Sequence, residues 1–297
     1  MTKSICVTSL ALALSASSLS IAPRAASVPT PPRYYLSLGD SLSVGAQPHR
    51  STLERPFPFV GVGGFGASVT HESFSDQLAA VRREDISNLH LVKLGCIGES
   101  TTSMIHGAAG IPAPAAPDVG LCNYRLGSQL NDAVAFLSSH RGEVAFVTIS
   151  IGANDVIPCG IDPTCLGAAL ATIQTNLVTI LTRLRAAAGP GVPIAGMNYF
   201  SPAVVIWSEN PVLAQLVVNA TVQFNNVLEA VYFSAGSPVA DVETAFSTTD
   251  FTLTPAGIPL NVARICQWTW MCTPFRDGHP NEAGYAVIAQ AFLQALP

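Results

Sequence analysis

Short apolar runs alternate with segments of helical periodicity along most of this chain. The apolar runs, each about the length of one strand, are 34–38, 89–94, 143–150, 192–197 and 237–242. The segments with apolar residues at helical spacing are 74–81, 125–139, 166–188, 210–233 and 280–296. Near-continuous apolar strands are typical of a parallel sheet that is covered on both faces. The alternation therefore predicts an α/β fold, with one three-layer α/β/α domain around a parallel sheet of about five strands.

The N-terminus has the pattern of a secretory signal peptide. Lys3 supplies a positive charge, residues 5–21 are apolar or small, and small residues follow up to Ala26. The segment is rich in Ser and Ala and short for a membrane span, which favours a cleaved signal over an uncleaved membrane anchor. We expect a signal peptide at 1–26, cut after Ala26 or Ser27, a Pro-rich linker at 27–33 and the folded domain at 34–297, which places the protein outside the cell.

A serine follows directly after the first apolar run. Gly39 and Asp40 end that run, and Ser41 comes next. Open α/β sheets bind their ligands outside the carboxyl ends of the strands, so Ser41 is a candidate site residue. A Gly-Asp-Ser triplet is also a common turn between a strand and a helix, and this stretch alone leaves both interpretations open.

Three further short motifs follow Ser41 along the chain. In order, the four motifs are Gly39-Asp40-Ser41-Leu42, Gly95-Cys96-Ile97-Gly98-Glu99-Ser100-Thr101, Gly152-Ala153-Asn154-Asp155 and Asp277-Gly278-His279-Pro280-Asn281. Together they resemble the SGNH (GDSL-type) hydrolase family of secreted esterases and lipases. The resemblance covers nearly the whole chain after the signal peptide, and it implies a flavodoxin-like SGNH hydrolase fold.

The resemblance implies a role for four residues of this sequence. Ser41 would be the nucleophile and His279 the base, because a serine hydroxyl is a poor nucleophile until a base takes its proton. The backbone N–H groups of Ser41 and Gly98 and the side-chain amide of Asn154 would form the oxyanion hole. The expected reaction is hydrolysis of carboxylic (acyl) esters through an acyl-enzyme on Ser41, without a metal or an organic cofactor.

The group that orients His279 has two candidates. The family usually carries an acid three residues before the histidine, but Arg276 occupies that position here and Asp277 lies only two residues before His279. Either the loop bulges so that Asp277 reaches the imidazole Nδ1, or a backbone carbonyl near Arg276 accepts that hydrogen bond. With the spacing one residue short, we expect the backbone carbonyl and a Ser41–His279 dyad.

Seven cysteines occur in the chain, and six remain once Cys6 leaves with the signal peptide. An even number in an exported chain implies disulfide bonds. Because sequence neighbours close the smallest loops, we predict the pairs Cys96–Cys122, Cys159–Cys165 and Cys266–Cys272. A structural zinc site is not expected, since the sequence contains no Cys-x-x-Cys pair.

Residues 46–70 form a long stretch without clear periodicity. Its apolar side chains would either line an acyl pocket beside Ser41 or pack on each other at the surface; they are Phe57, Phe59, Val60, Val62 and Phe65. These aromatics, with Trp268 and Trp270 in an expected loop at 261–273, favour an acyl ester as substrate. The alternatives on the same fold are an acetyl-carbohydrate esterase and a phospholipase, or a non-catalytic surface-binding protein.

Charge and composition narrow the class of partner. The net charge of −5 offers no basic surface for nucleic acid. A hydrophobic content of 49% with 11% charged residues indicates a compact domain with a large core. The sequence lacks a Gly-x-Ser-x-Gly motif around Ser41, which argues against an α/β-hydrolase. We expect a monomer that acts on a small-molecule or lipid ester, without stable insertion into a membrane.

Overall fold

The strands of the protein form a parallel sheet and a small antiparallel ribbon. The computed structural model describes residues 1, 31–48, 67–107, 122 and 124–297. The strands within them are β1 (Arg33–Gly39), β2 (Ala46–Pro48), β3 (Ala67–Val69), β4 (Leu89–Lys93), β5 (Val144–Ser150), β6 (Ile194–Met197) and β7 (Val239–Ala240). Strands β4, β1, β5, β6 and β7 lie side by side in that order and are all parallel, while β2 pairs with β3.

Helices cover both faces of the parallel sheet. In the described residues they are α1 (Ser41–Val44), α2 (Phe74–Arg82), α3 (Thr101–His106), α4 (Gln129–Ser139), α5 (Ala153–Val156), α6 (Pro163–Ala188), α7 (Pro211–Ser234), α8 (Val242–Ala245), α9 (Leu260–Trp268) and α10 (Glu282–Ala295). Helix α2 packs against α10, and α6 packs against both α4 and α7. The chain crosses the sheet in one direction from β1 to β4 and in the opposite direction from β4 to β5 and beyond. Because each crossover is right-handed, the pair α2 and α10 lies on one face of the sheet and α4, α6 and α7 lie on the other. The three-layer α/β/α prediction is confirmed, with the flavodoxin-like strand order.

The two central strands are buried on both faces. Leu36 of β1 and Val147 of β5 on one face have no exposed surface, and Tyr35 and Phe146 on the other face are 0% and 2% exposed. A strand between two helical layers has no polar side, which is why these segments read as continuous apolar runs. The core therefore lies on both sides of β1 and β5, directly beneath the strand ends that carry the candidate site.

Helix α6 is a core helix. Asp162 caps its start by accepting hydrogen bonds from the backbone N–H groups of Thr164 and Cys165. One stripe of the helix is buried against the sheet and its neighbours, with Ile173, Leu177, Ile180, Leu181 and Leu184. By length and composition α6 would also qualify as a membrane span, but one such helix is weak evidence for a span, since helices of soluble proteins pass the same test.

Helix α4 begins four residues later than the periodicity predicts. The expected helix started at 125, whereas the observed one starts at Gln129. Gly127 has a φ of 85°, and the Ser128 side chain accepts a hydrogen bond from the N–H of Asn131. A left-handed residue followed by a capping serine ends the turn and starts the helix.

Two predictions near the C-terminus are wrong in part. The expected loop at 261–273 contains α9, whose Val262 and Ile265 are buried three residues apart, as a helix requires. The expected strand at 237–242 is only Val239–Ala240, because Asp241 caps α8 by accepting from the N–H of Thr244. In both places a short helix forms where the sequence favours other structure.

The stretch 46–70 is not irregular throughout, since its two ends pair as β2 and β3. The aromatic and valine side chains proposed to line a pocket lie outside the described residues, as do most of the expected signal peptide and the first part of the linker. Pro31–Pro297 forms one compact unit.

All three predicted disulfides are present in the structure. Their Cα–Cα distances are 5.9 Å for Cys96–Cys122, 5.3 Å for Cys159–Cys165 and 4.9 Å for Cys266–Cys272. These distances lie in the range that a disulfide spans without backbone movement. Each bond therefore joins segments that the fold already brings together.

Candidate active site

The sequence motifs meet at the carboxyl edge of the sheet. Ser41 follows β1, Gly98 follows β4 and Asn154 follows β5. Because β1 lies between β4 and β5, these three loops leave neighbouring strands. The connections that leave β1 and β4 run in opposite directions, which creates a switch point between β1 and β5, and open α/β sheets bind ligands in the crevice at such a point.

The turn that presents Ser41 depends on a glycine. Gly39 has a φ of 123°, and a Cβ built on it would lie 1.9 Å from the backbone oxygen of Ser150 in β5. Only glycine therefore allows β1 to end this close to its neighbour. The chain then enters α1 at Ser41, whose N–H is at the helix start and has no intrahelical partner.

The Asp40 carboxylate stabilises this turn through hydrogen bonds. Its carboxylate accepts hydrogen bonds from the N–H of Leu42 at 3.0 Å, the hydroxyl of Ser150 at 3.0 Å and the hydroxyl of Tyr199 at 2.8 Å. The residue is 1% exposed. Burial raises the pKa of Asp40 to about 6, although the hydrogen bonds from Tyr199, Leu42 and Ser150 act to lower it.

His279 reaches Ser41 across the strand ends. The distance between its Nε2 and the Ser41 Oγ is 2.8 Å. Two backbone contacts hold the histidine loop: the N–H of Trp270 donates to the carbonyl of His279, and Thr269 forms an isolated bridge with Pro280. The two residues are 238 positions apart, so this contact exists only because the fold brings the two ends of the domain together.

The expected backbone partner for His279 is not what the structure shows. The Asp277 Oδ1 lies 2.7 Å from the His279 Nδ1 and accepts the backbone N–H of His279, also at 2.7 Å. Arg276 has a φ of 47°, so the chain turns sharply just before Asp277. This turn folds the carboxylate back over the loop and provides the acid in spite of the shorter spacing.

The two side chains of this pair alter each other's protonation. Burial opposes the charged imidazole, but the hydrogen bond and charge of Asp277 outweigh burial and raise the pKa of His279 above its ordinary value of 6.5. Burial acts against the charged carboxylate too, yet the contact with His279 lowers the pKa of Asp277 below its ordinary value. The arrangement favours a carboxylate beside an imidazole that readily accepts a proton.

The loops after β4 and β5 are tied to each other on the other side of Ser41. The Asn154 Nδ2 donates to the backbone oxygen of Glu99 at 2.9 Å, which leaves its second N–H for another acceptor. The carboxylate of Asp155 accepts from the N–H and the hydroxyl of Thr101 at 2.8 and 2.6 Å. Gly98 lies between these contacts with a φ of 79°, a conformation that favours glycine.

Most of the chain matches one protein family. The sequence model of the GDSL-like Lipase/Acylhydrolase family matches residues 37–287, a span that includes the four motifs. The chain belongs to this family. It is accordingly a carboxylic ester hydrolase. No curated protein sequence matches the chain at a significant level.

Solved structures of esterases and lipases share the fold. A phospholipase A1 from Streptomyces albidoflavus NA297 is 16% identical, with 89% of this chain and 100% of that chain covered and a TM-score of 0.51. An extracellular lipase from Streptomyces rimosus is 17% identical, with 89% and 99% covered and a TM-score of 0.51. A catalytic mutant of an acetylxylan esterase from Geobacillus stearothermophilus is 19% identical, with 89% and 94% covered and a TM-score of 0.52. At these identities the likeness concerns the fold.

This GDSL-family hydrolase also carries site neighbours that the sequence did not reveal. The Tyr199 hydroxyl donates a hydrogen bond to Asp40. The Gln129 amide donates to the Gly39 oxygen at the end of β1, and the Tyr124 hydroxyl donates to Glu99 in the loop after β4. All three lie outside the four motifs, and no local pattern distinguishes them from structural residues. Among the described residues, no group of three or more His, Cys, Asp or Glu side chains is placed to hold a metal ion.

Proposed function

We propose that this protein is a secreted serine esterase that hydrolyses acyl esters through an acyl-enzyme on Ser41. The observation that carries the proposal is the continuous hydrogen-bonded chain from Ser41 Oγ to His279 Nε2 at 2.8 Å and from His279 Nδ1 to Asp277 Oδ1 at 2.7 Å. A nucleophile, a base and an acid that orients the base are the three parts of a serine hydrolase triad. The membership of the GDSL family supports the same chemistry.

In the acylation step the Ser41 oxygen attacks the ester carbonyl carbon. The hydroxyl proton passes to the His279 Nε2, and the Asp277 carboxylate stabilises the imidazolium that results. His279 then gives this proton to the departing alcohol as the bond between the carbonyl carbon and the alkoxy oxygen breaks. Water, activated by the same histidine, attacks the acyl-enzyme and releases the carboxylic acid.

The negative charge of the tetrahedral intermediate needs donors on the opposite side from His279. We assign this role to the backbone N–H groups of Ser41 and Gly98 and to the second N–H of the Asn154 amide. Helix α1 begins at Ser41, so its N–H points away from the helix without an internal acceptor. The Asn154 amide is oriented by its bond to the Glu99 oxygen, which supports a fixed donor.

Export of the protein is supported by its disulfides and its N-terminal sequence. Three disulfide bonds in one domain are typical of proteins that fold in an oxidising compartment. The segment 1–26 has the charge, apolar core and small residues of a cleaved signal. We propose that the mature enzyme is extracellular and monomeric.

The proposed substrate is an acyl ester of a small molecule or a lipid. One of the two tryptophans behind this proposal is a packing residue, since Trp268 contacts the ring of Phe246 and lies under the guanidinium of Arg264 at 4.6 Å. Trp270 is in the His279 loop, is half-buried and meets Phe275 edge-on, so it is the tryptophan of the two that lies near the site. Proteins of similar fold are named as a phospholipase A1 and as an acetylxylan esterase. Because these names point to acyl groups of different length, the acyl chain length is the property of the substrate to measure.

The test is turnover of p-nitrophenyl esters with acyl chains from acetyl to palmitoyl. We expect hydrolysis by the wild type, none by Ser41→Ala, and a peak in kcat/KM at one chain length. Ser43→Ala is the matched control, because Ser43 lies in the same turn and bonds the Asp40 carbonyl rather than His279. Turnover by Ser41→Ala at the wild-type rate, with an unchanged circular dichroism spectrum, would remove Ser41 from the mechanism. A wild type that cleaves no ester in the series contradicts the proposal as a whole.

A further inference from the structure

A carboxylate is buried directly beside the proposed oxyanion loop. Glu99 follows Gly98 and is 2% exposed. Among the described residues it has no Lys, Arg or His within ion-pair distance. It accepts hydrogen bonds from the hydroxyls of Ser103 and Tyr124 and from the amide of Gln129. Burial raises the pKa of Glu99 despite these bonds, so the group is costly to bury and its retention calls for a reason.

Gln129 joins this carboxylate to the strand that carries the nucleophile. Its Oε1 accepts the backbone N–H of Gly39 at 2.6 Å, and its Nε2 donates to the backbone oxygen of Gly39 at 3.0 Å. The same Nε2 lies 3.0 Å from the Glu99 Oε2 and 2.9 Å from the Tyr124 hydroxyl. One fully buried amide at the start of α4 therefore fixes the end of β1 and contacts the loop after β4.

Tyr124 closes the network from a third segment. Its hydroxyl donates to the Glu99 Oε2 at 2.5 Å, and it lies 3.2 Å from the carbonyl oxygen of Leu94 at the end of β4. Tyr124 is two residues after Cys122, which is bonded to Cys96 in the same loop as Glu99. The backbone N–H of Cys96 in turn donates to the oxygen of Gly39 at 2.9 Å. The disulfide thus holds the segment of Tyr124 next to the loop that Tyr124 contacts.

We propose that Glu99, Gln129 and Tyr124 form a positioning network that sets the distance between the backbone N–H of Ser41 and the backbone N–H of Gly98. The inference rests on the proposed function, in which these two groups are oxyanion donors on separate loops. Gly39 is two residues before Ser41 and Glu99 is one residue after Gly98, so the network forms hydrogen bonds with both loops next to the proposed oxyanion donors. The hydrogen bonds of the three side chains reach neither His279 nor Asp277.

A positioning role predicts a particular pattern in the kinetics. Donors that are displaced stabilise the intermediate less, while ground-state binding changes little. We expect Tyr124→Phe and Glu99→Gln each to lower kcat by about tenfold or more and to change KM by less than about threefold, given the cost of misplaced or lost oxyanion donors. The acid midpoint of the pH profile should stay where the wild type has it, because that midpoint belongs to His279.

The effects of Tyr124→Phe and Glu99→Gln on kcat should not be additive. Residues that act through one network give a double variant that is little worse than the worse single variant. The control is Tyr35→Phe, which removes the hydroxyl of a fully buried tyrosine, bonded to Thr148 at 2.8 Å in the middle of the sheet. We expect Tyr35→Phe to lower Tm to a similar extent and to leave kcat within about twofold of the wild type.

The measurements are kcat, KM and Tm for the wild type, both single variants, the double variant and the control, on the best p-nitrophenyl ester. If Glu99→Gln does not fold, Tyr124→Phe alone tests the proposal, because it removes only one oxygen from a partly exposed side chain. Variants that fall in Tm but keep the kcat of the control overturn the network, and so does a loss confined to KM. A wild type without any turnover overturns the proposed function and the network together, whereas an active wild type with unaffected variants overturns the network alone.

Discussion

The two ring nitrogens of His279 have different partners, and this is the central fact at the scale of single residues. Nε2 faces Ser41 and Nδ1 faces Asp277. The expectation from spacing treats an interval of two residues as too short for the acid. In an extended chain, however, residues i and i+2 point to the same side rather than to opposite sides. The turn at Arg276 then brings the Asp277 carboxylate onto the imidazole.

Asp277→Asn tests this acid. We expect kcat to fall by about three to four decades, as for the acid of a serine hydrolase triad, because the amide no longer stabilises the imidazolium. The measurement is kcat on a p-nitrophenyl ester together with a circular dichroism spectrum. Asp250→Asn is the control, since Asp250 also accepts a backbone N–H two residues on, in an exposed loop. A few-fold loss in Asp277→Asn would restore the dyad.

The pH profile of the wild type follows from the raised pKa of His279. The base must be neutral to accept the Ser41 proton, so kcat/KM should rise with pH through a midpoint above 6.5. Removing the carboxylate in Asp277→Asn takes away the largest effect that raises the pKa of His279, while the charge of Asp40 remains, so the midpoint should move to lower pH as the maximum rate falls. A profile of kcat/KM between pH 5 and 9 measures both. Identical midpoints in the two proteins would show that Asp277 does not act on the histidine.

Asn154 should contribute mainly to the transition state. Asn154→Ala removes the amide that we assign to the oxyanion, and the expected result is a loss of about 10²–10³ in kcat with a smaller change in KM. Asn131→Ala provides the comparison, since it removes a half-buried amide on α4 that donates to the carbonyl of Leu126 and accepts from Arg183. If the loss appears only in KM, Asn154 positions the substrate instead.

At the scale of elements, the site is a set of loops, and local contacts and helix caps hold each loop in place. Gly39 allows β1 to end against β5, the Asp155 carboxylate anchors the start of α3, and the Asn281 side chain caps α10 just after the histidine. Each device acts within one loop or between neighbouring loops. The sequence therefore places these loops correctly, although it does not show how they are fixed to one another.

The disulfides should stabilise the protein unequally. Cys96–Cys122 closes 26 residues, while each of the other two bonds closes 6. On the loop-entropy model this corresponds to about 3.5 kcal/mol against about 2 kcal/mol. Replacing both cysteines of the first pair by alanine should thus lower Tm more than replacing Cys159 and Cys165. Thermal unfolding of the two double variants measures the difference, and an equal or reversed order contradicts the prediction.

For the whole molecule, the strand order decides where chemistry is placed. Strand β1 lies between β4 and β5, so the nucleophile after β1 meets the loop after β4 on one side and the loop after β5 on the other. His279 is supplied from the far end of the chain by the segment between α9 and α10. The site is thereby assembled from four stretches that only the complete domain brings together.

The folded unit should not need the N-terminal segment once the protein has been exported. Pro31–Pro297 forms its own compact unit, and residues 1–26 have the pattern of a signal peptide. Expression of the full chain in a secreting host should give a mature protein that begins after Ala26 or Ser27, with full esterase activity. The intact mass and the N-terminal peptide of the secreted protein check this. Secreted protein that retains Met1 would contradict cleavage.

The sequence by itself determined the features that depend on short stretches of chain. Apolar runs and helical spacing within single elements predicted the α/β fold, and the resemblance of four motifs to the SGNH (GDSL-type) family implied that Ser41 and His279 belong to one site. The disulfide pairs were also predictable, because closing a short loop costs little entropy. In each case the information lies in single elements, in short motifs or in cysteines that are close in sequence.

Only the tertiary structure decided which distant side chains meet. Tyr199 under Asp40 and Gln129 against Gly39 are contacts between residues 159 and 90 positions apart, and neither residue has a local pattern that distinguishes it from its neighbours. The partner of His279 depended on one left-handed residue, Arg276, a conformation that the residue type does not predict. Periodicity reports which face of an element is buried, but the contacts between elements follow from how those faces pack together.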